Sequence, residues 1–118
     1  MYSPEFVDHF QNPRHVGELT PPSVVVDVEN PICGDRLRIS VRAAGGVIQE
    51  VRYKMRGCAA SIAAGSALAE WLEGKSEADL KKFETVVIEE ALGGLANESK
   101  HVAVLCKDGV RALEGKLA

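Results

Sequence analysis

The sequence predicts an α+β fold, in which a small three-stranded antiparallel sheet has helices packed on one face. Apolar and polar residues alternate in three stretches between positions 24 and 56, as they do in half-buried strands. From Cys58 onward the chain is alanine-rich and its apolar residues recur at helical spacing. We expect residues 1–118 to form a single domain, because this length supports one hydrophobic core and not two.

Composition and charge exclude several classes of function. The net charge of −3 argues against nucleic acid or an anionic membrane as the main partner. No apolar run approaches the roughly 20 residues that span a bilayer, and the start "MYSPEFVDHFQNP" lacks the layout of a signal peptide. We therefore expect a cytoplasmic protein. Three cysteines without an export signal favour metal binding or thiol chemistry over a disulfide framework, and an inert buried thiol is the alternative for each.

The first predicted element is a short helix. Ser3 is its candidate N-cap and Pro4 occupies its first position. Asn12-Pro13 should end it, because the residue before proline avoids the helical region. Its apolar stripe is predicted to consist of Phe6, Val7 and Phe10.

Three strands are predicted next, "VVVDVE", "RLRISVR" and "VIQEVRYKMR", with Gly45-Gly46 closing a hairpin between the last two. The residues expected to face the core are Val24, Val26, Val28, Leu37, Ile39, Val41, Val47, Val51, Tyr53 and Met55. Those expected on the opposite face of the second strand are Arg36, Arg38, Ser40 and Arg42.

Helices follow the strands. One begins near Cys58 and stops at Gly74, and Ser76 with Asp79 forms a capping-box start for another. Residues 84–94 form either a short helix or an extended piece. The last helix, about Ser99 to Leu117, should bury some of Val102, Leu105, Cys106, Val110 and Leu113.

Cys33 and Asp35 are the first candidate site residues. They lie in "NPICGDR" before a strand, and residues two apart in extended chain point the same way. A soft thiolate beside an exchangeable carboxylate suits a transition metal. A rigid turn with an idle thiol is the alternative.

Cys58 follows Gly57 at a strand-to-helix junction. The glycine lets the backbone turn sharply, and the helix N-terminus favours the thiolate. A reactive or ligating role is favoured there over a structural one. His101 opens the last helix and is either a surface residue or a member of the same site, whereas Cys106 has apolar neighbours typical of a helix core. The sequence contains no CxxC, HExxH, GxGxxG or P-loop pattern.

Four segments, "FQNPRHVG", "NPICGD", "GGVIQEVRYKMRGCAASIAAGSALAEWLEGKS" and "KHVAVLCKDGVRAL", together resemble the IscU/NifU-type iron–sulfur cluster assembly scaffold family, in order and over nearly the whole chain. The resemblance implies the fold given above and a scaffold or carrier rather than an enzyme. Such a protein accepts sulfur from a cysteine desulfurase, holds a labile [2Fe–2S] cluster, Zn²⁺ or Fe²⁺, and passes its cargo to apo iron–sulfur proteins. A frataxin-like iron donor is a further implied partner, and the chain itself is expected to be a monomer or weak homodimer.

The resemblance also implies the ligands. Cys33, Asp35 and Cys58 match the family's first two cysteines and its ligand-loosening aspartate. The family begins its last helix with a basic residue, often histidine, followed by a third cysteine, and these positions hold His101 and Val102 here. His101 is therefore expected to complete the site. Cys106 lies four residues further on, about 6 Å along the helix, and is an alternative ligand, a sulfur relay or a core residue.

Three functions follow from these observations. The first is cluster assembly on a Cys33, Asp35, Cys58 and His101 site. The second is a zinc-binding modulator of a cysteine desulfurase that builds no cluster, since valine replaces the third cysteine. The third is a zinc hydrolase, which needs a general base beside an open metal position, and the spacing of Asp27 and Glu29 does not recommend either residue for that role.

Overall fold

A computed structural model describes residues 2–31 and 34–117. The strands are β1 (Val24–Glu29), β2 (Arg36–Ala44) and β3 (Val47–Arg56). The helices are α1 (Pro4–Gln11), α2 (Ala59–Leu72), α3 (Glu77–Lys81), α4 (Thr85–Ala91) and α5 (His101–Leu113), with a 3₁₀ turn at Asn97–Ser99. Within the described ranges, no helix is long and apolar enough to cross a membrane.

The three strands form one antiparallel sheet, as predicted, and the structure gives their order as β1-β2-β3. Gly45 and Gly46 close the β2–β3 hairpin with φ of 62° and 76°, the left-handed backbone that a tight two-residue turn requires. The prediction that Val47 faces the core is wrong, because its neighbour Ile48 takes that position. A register shift between Arg42 and Ala43 places Ile48 in the core and leaves Val47 only partly buried.

Helices α2 and α5 pack directly on the sheet, α2 against β3 and α5 against β1 and β2. Two glycines allow this close approach. A Cβ on Gly65 would lie 2.5 Å from the Tyr53 ring, and one on Gly109 would lie 2.8 Å from Ile39 Cδ1. The α+β layer is thereby confirmed, and its packing fixes the N-terminal ends of α2 and α5.

Helix α1 differs from the prediction in the face it buries. Val7 and Phe10 are exposed, whereas Phe6 and His9 are buried, so the predicted apolar stripe is wrong for two of its three members. The α1 helix packs on α2, where His9 Nδ1 lies 2.8 Å from Ser66 Oγ. A polar partner within hydrogen-bonding distance lets a histidine take an interior position.

Two further expectations need correction. Ser40 is buried rather than solvent-facing, because the segment at Leu19 lies over it. The Ser40 hydroxyl accepts a hydrogen bond from Leu19 N–H at 3.1 Å. The last helix ends at Leu113 instead of Leu117, since Gly115 has a φ of 79° that breaks the helical backbone.

The predicted helix signals are otherwise confirmed. The Ser3 hydroxyl accepts from Phe6 N–H, and Ser76 with Asp79 forms a complete capping box. Residues 85–91 are helical. All five residues predicted for the buried face of the last helix are in the core. The assignment of residues 1–118 to a single domain stays a prediction.

Candidate metal centre

Three side chains with metal-ligating atoms meet where the starts of β2, α2 and α5 come together. One ligating atom each from Asp35, Cys58 and His101 lies within 4.8 Å of the other two. Cys58 is exposed, His101 is half-buried and Asp35 is 6% exposed. Cys33, the fourth residue of the predicted site, lies outside the described residues, and its role stays a prediction.

The Asp35 carboxylate is the buried member of this group. Its Oδ2 atom accepts a hydrogen bond from Ser61 Oγ at 2.8 Å and lies 3.4 Å from His101 Nε2. The backbone around it is also held, because Asn30 N–H donates to Asp35 O at 2.9 Å and Gly34 N–H donates to Asn30 O at 2.7 Å. The carboxylate is therefore fixed at the junction of the β1–β2 loop with β2.

Gly57 provides the space that this carboxylate occupies. A Cβ at position 57 would lie 2.6 Å from Asp35 Oδ1 and 2.8 Å from Ser61 Oγ, both closer than real contacts allow. The backbone of Gly57 is not left-handed. The chain bends at Gly57, as the sequence predicts, and the structure adds a steric reason for glycine, namely that any side chain at residue 57 would displace Asp35.

Cys58 is the N-cap residue of α2 and makes no side-chain cap hydrogen bond. Its Sγ atom lies 3.4 Å from Ser61 Oγ. Ser61 has one hydroxyl proton and donates it to Asp35 Oδ2, so the Cys58 thiol is the donor to Ser61. A thiol, a hydroxyl, a carboxylate and an imidazole thus follow one another across the site.

Ser61 was missed by sequence reasoning. It is fully buried and contacts two of the three candidate ligands. The available signal was its spacing, because residues three apart on a helix share one face, so Ser61 lies one turn below Cys58.

Cys106, the remaining candidate, and Val102 both lie on the buried face of α5. Val102, at the position of the family's third cysteine, is fully buried. Cys106 is fully buried as well, and its Sγ lies 3.7 Å from Ala64 O, to which the thiol donates. Burial raises the pKa of Cys106 to about 12, which suppresses the reactive thiolate. These properties favour a core role for Cys106, and its proposed role as ligand or relay stays a prediction.

The geometry of Asp35, Cys58 and His101 fits a transition-metal ion. Ligand atoms that bind one zinc ion tetrahedrally at about 2.0–2.3 Å lie about 3.3–3.8 Å from one another. The 3.4 Å between Asp35 Oδ2 and His101 Nε2 is already in this range, and no separation in the group exceeds 4.8 Å. Side-chain movements of about 1 Å would bring all three atoms to coordinating distance of one ion.

Comparison with known proteins gives a consistent assignment. The model of the NifU-like N-terminal domain family matches residues 1–114. The chain is 46% identical over 116 residues to the bifunctional protein NifU/MnmA of Rubrobacter xylanophilus, which covers 96% of this chain and 24% of that protein. It is 38% identical over 111 residues to the iron–sulfur cluster assembly scaffold protein IscU 1 of Archaeoglobus fulgidus, covering 94% of this chain and 72% of that one.

A shorter match, 36% identical over 75 residues, relates 64% of the chain to 50% of the zinc-dependent sulfurtransferase SufU of Bacillus subtilis. Among solved structures, a SUF-system protein of Fervidobacterium islandicum superimposes with a TM-score of 0.76 at 19% identity, covering 94% of both chains. That structural likeness supports the fold alone. With the family match over residues 1–114, the chain belongs to the family of NifU-like N-terminal domains, the IscU/NifU-type family that its motifs predict.

Proposed function

We propose that the protein is an iron–sulfur cluster scaffold or carrier that holds a labile [2Fe–2S] cluster or a single metal ion at Cys33, Asp35, Cys58 and His101. The observation that carries this proposal is the convergence of ligating atoms from Asp35, Cys58 and His101 within 4.8 Å of one another. The three residues are distant in sequence, at the starts of three different elements, and only the fold brings them together.

The ligand types suit a cargo that must be released. Thiolate and imidazole are sound ligands for iron and zinc. A carboxylate exchanges more readily than a thiolate, and a closed all-thiolate site would hold a cluster too firmly for transfer. The exposed Cys58 places one side of the site at the surface, where a partner protein can reach the cargo.

The sulfur supply and the recipients follow from the family. We infer that a cysteine desulfurase delivers sulfur and that apo iron–sulfur proteins take the finished cluster. The protein then acts as a carrier and not as a catalyst. Among the described thiols, Cys58 is exposed and Cys106 is buried, so Cys58 is the one of these two that a sulfur donor can reach.

A zinc-binding modulator of a desulfurase is the second candidate function. It is favoured by the buried Val102, which leaves the site one thiol short of the family pattern. The Bacillus relative with 36% identity carries the name of a zinc-dependent sulfurtransferase, which also supports this alternative. Both candidate functions use the same residues and differ in the cargo.

Anaerobic reconstitution followed by native mass spectrometry tests the proposal. The protein is treated with iron and sulfide, and in parallel with zinc, and compared with Cys58→Ser. A mass gain of one [2Fe–2S] cluster per chain or per dimer, abolished in Cys58→Ser, is the expected result. Retained zinc without cluster uptake would replace the scaffold by the modulator, and loading unchanged in Cys58→Ser would overturn the site.

A further inference from the structure

We propose that Ser61 is a positioning residue of the candidate metal centre, and that its hydrogen bond to Asp35 sets how firmly the carboxylate holds the cargo. This inference rests on the proposed function and adds to it a residue that lies outside the ligand set. Its basis is the contact of Ser61 Oγ with Asp35 Oδ2 at 2.8 Å.

The direction of the hydrogen bond follows from counting protons. Ser61 Oγ donates to Asp35 Oδ2, and because the serine hydroxyl has a single proton, Ser61 accepts from the Cys58 thiol. Cys58 gives up only its own thiol proton when it binds a metal as the thiolate, so the Ser61 proton remains available to Asp35 in the form of the site that holds cargo.

Burial makes this donor hard to replace. Asp35 is 6% exposed and Ser61 is fully buried, so little water reaches the oxygen that Ser61 contacts. A buried oxygen that loses its donor is destabilised, and the carboxylate would then turn toward another partner. His101 Nε2, at 3.4 Å from the same oxygen, lies beyond the usual length of an N–H···O hydrogen bond and does not substitute for the hydroxyl.

The Asp35 carboxylate occupies a small recess that has Gly57 on one side and Ser61 on the other, and we call this recess the Asp35 seat. Gly57 leaves room for Oδ1, since a Cβ there would lie 2.6 Å from it, and Ser61 binds Oδ2. One carboxylate oxygen is thus confined by shape and the other by a hydrogen bond. Removing the hydroxyl opens space beside Oδ2 and frees the carboxylate to rotate away from Cys58 and His101.

Helix α2 supplies a matched control. Ser66 is also fully buried, lies five residues along the same helix, and is hydrogen-bonded to His9 and Arg14 instead of to the site. Ser61→Ala and Ser66→Ala each delete one buried hydroxyl from one helix. Both are expected to lower the melting temperature of the metal-free protein, and only the first should alter the metal site.

Zinc release to a chromogenic chelator, followed by stopped flow, tests the inference. Outer partners of ligating carboxylates contribute about 10- to 100-fold to metal affinity, so we expect Ser61→Ala to release zinc at least about tenfold faster than the unmodified protein. Ser66→Ala should stay within about twofold of it. With Co²⁺ in place of zinc, the absorption bands should shift in Ser61→Ala and not in Ser66→Ala.

A double-mutant cycle tests whether Ser61 affects zinc release through Asp35. In the Asp35→Ala background, Ser61→Ala should change zinc release by less than about twofold, because the residue it positions is gone. Ser61→Thr keeps the hydroxyl and should release zinc slowly, which serves as the readout if Ser61→Ala does not fold.

Three results would overturn the inference: equal release from Ser61→Ala and Ser66→Ala, a full Ser61→Ala effect without Asp35, or fast release from a folded Ser61→Thr. These results leave the proposed function standing. Failure of the unmodified protein to bind zinc, cobalt or cluster would instead remove the proposed function and this inference with it.

Discussion

Helix α2 carries two buried serines, each in a polar cluster that includes a histidine, and the two clusters differ in whether their hydrogen bonds are completed inside the fold. Around Ser66 they are. Its oxygen lies 2.8 Å from His9 Nδ1 and accepts from Arg14 N–H at 2.9 Å, while the Arg14 guanidinium lies 3.2 Å from the same His9 nitrogen. Here His9 is enclosed, and the cluster joins α1 to α2.

Around Ser61 the arrangement stays open on one side. Ser61 holds Asp35, but the imidazole of His101 is half-buried at 3.4 Å from that carboxylate, and the Cys58 thiol is exposed. The two clusters contain similar residue types but therefore have different roles. Where the polar groups are hydrogen-bonded to one another inside the fold, the cluster stabilises structure, and where ligating atoms converge beside solvent, they are available to a metal.

The largest expected effect separates the two histidines. His101→Ala should lower zinc affinity by about 100-fold, because four ligands share a binding free energy of about 10–16 kcal/mol. His9→Ala should leave zinc affinity within about twofold and destabilise the fold by about 1–3 kcal/mol, since the buried Ser66 hydroxyl loses one of its two partners. Isothermal titration with zinc and urea unfolding measure the two quantities. Equal losses of affinity would abolish the distinction between the clusters.

The second prediction concerns two glycines, Gly57 and Gly109, at each of which an added Cβ would clash with a neighbouring side chain. Gly57→Ala should lower zinc affinity by at least about tenfold, because the new Cβ would push Asp35 out of its seat. Gly109→Ala meets Ile39 Cδ1 at 2.8 Å, in the core, and should reduce stability without changing zinc affinity. If Gly57→Ala bound zinc normally, the steric account of the seat would be wrong.

The third prediction uses pH to test the cluster of Ser66, His9 and Arg14. Burial, and then the nearby Arg14 charge, lowers the pKa of His9, so the folded protein favours neutral His9. Stability from this group is present above the ordinary histidine pKa of about 6.5 and is lost as pH falls below it, by at most about 1.4 kcal/mol per pH unit.

Urea unfolding between pH 7 and pH 5 measures this slope. The carboxylates with lowered pKa, including Glu77 and Asp79, lose their stabilising contribution at lower pH, so this window lies above the range in which they act. His9→Gln should flatten the slope. A slope that is the same in His9→Gln would show that another group is responsible.

The smallest effect is expected at Cys106. Cys106→Ala should destabilise the protein by about 1 kcal/mol, as a modest core truncation does, and leave zinc affinity unchanged. A tenfold loss of zinc affinity in this variant would instead make Cys106 a ligand and would require α5 to shift.

Much of the fold was predictable because its signals are local. Ser3, the Ser76–Asp79 capping box and Gly45-Gly46 each determine an element boundary through nearby hydrogen bonds or backbone angles. The convergence of Asp35, Cys58 and His101 was anticipated through resemblance to a family, and the structure brings these three residues together.

What could not be predicted depends on contacts between distant segments. The burial of His9 in place of Val7 and Phe10 results from how α1 lies on α2, which an eight-residue helix does not specify by its own pattern. The reason for Gly57 becomes visible only when the carboxylate of Asp35, 22 positions earlier, is placed against it.

X-ray absorption spectroscopy at the zinc edge of the zinc-loaded protein tests the central claim most directly. We predict two sulfur and two nitrogen or oxygen ligands, with an imidazole contribution that disappears in His101→Ala. A spectrum with only nitrogen and oxygen ligands, or one that His101→Ala leaves unchanged, would contradict the proposed centre.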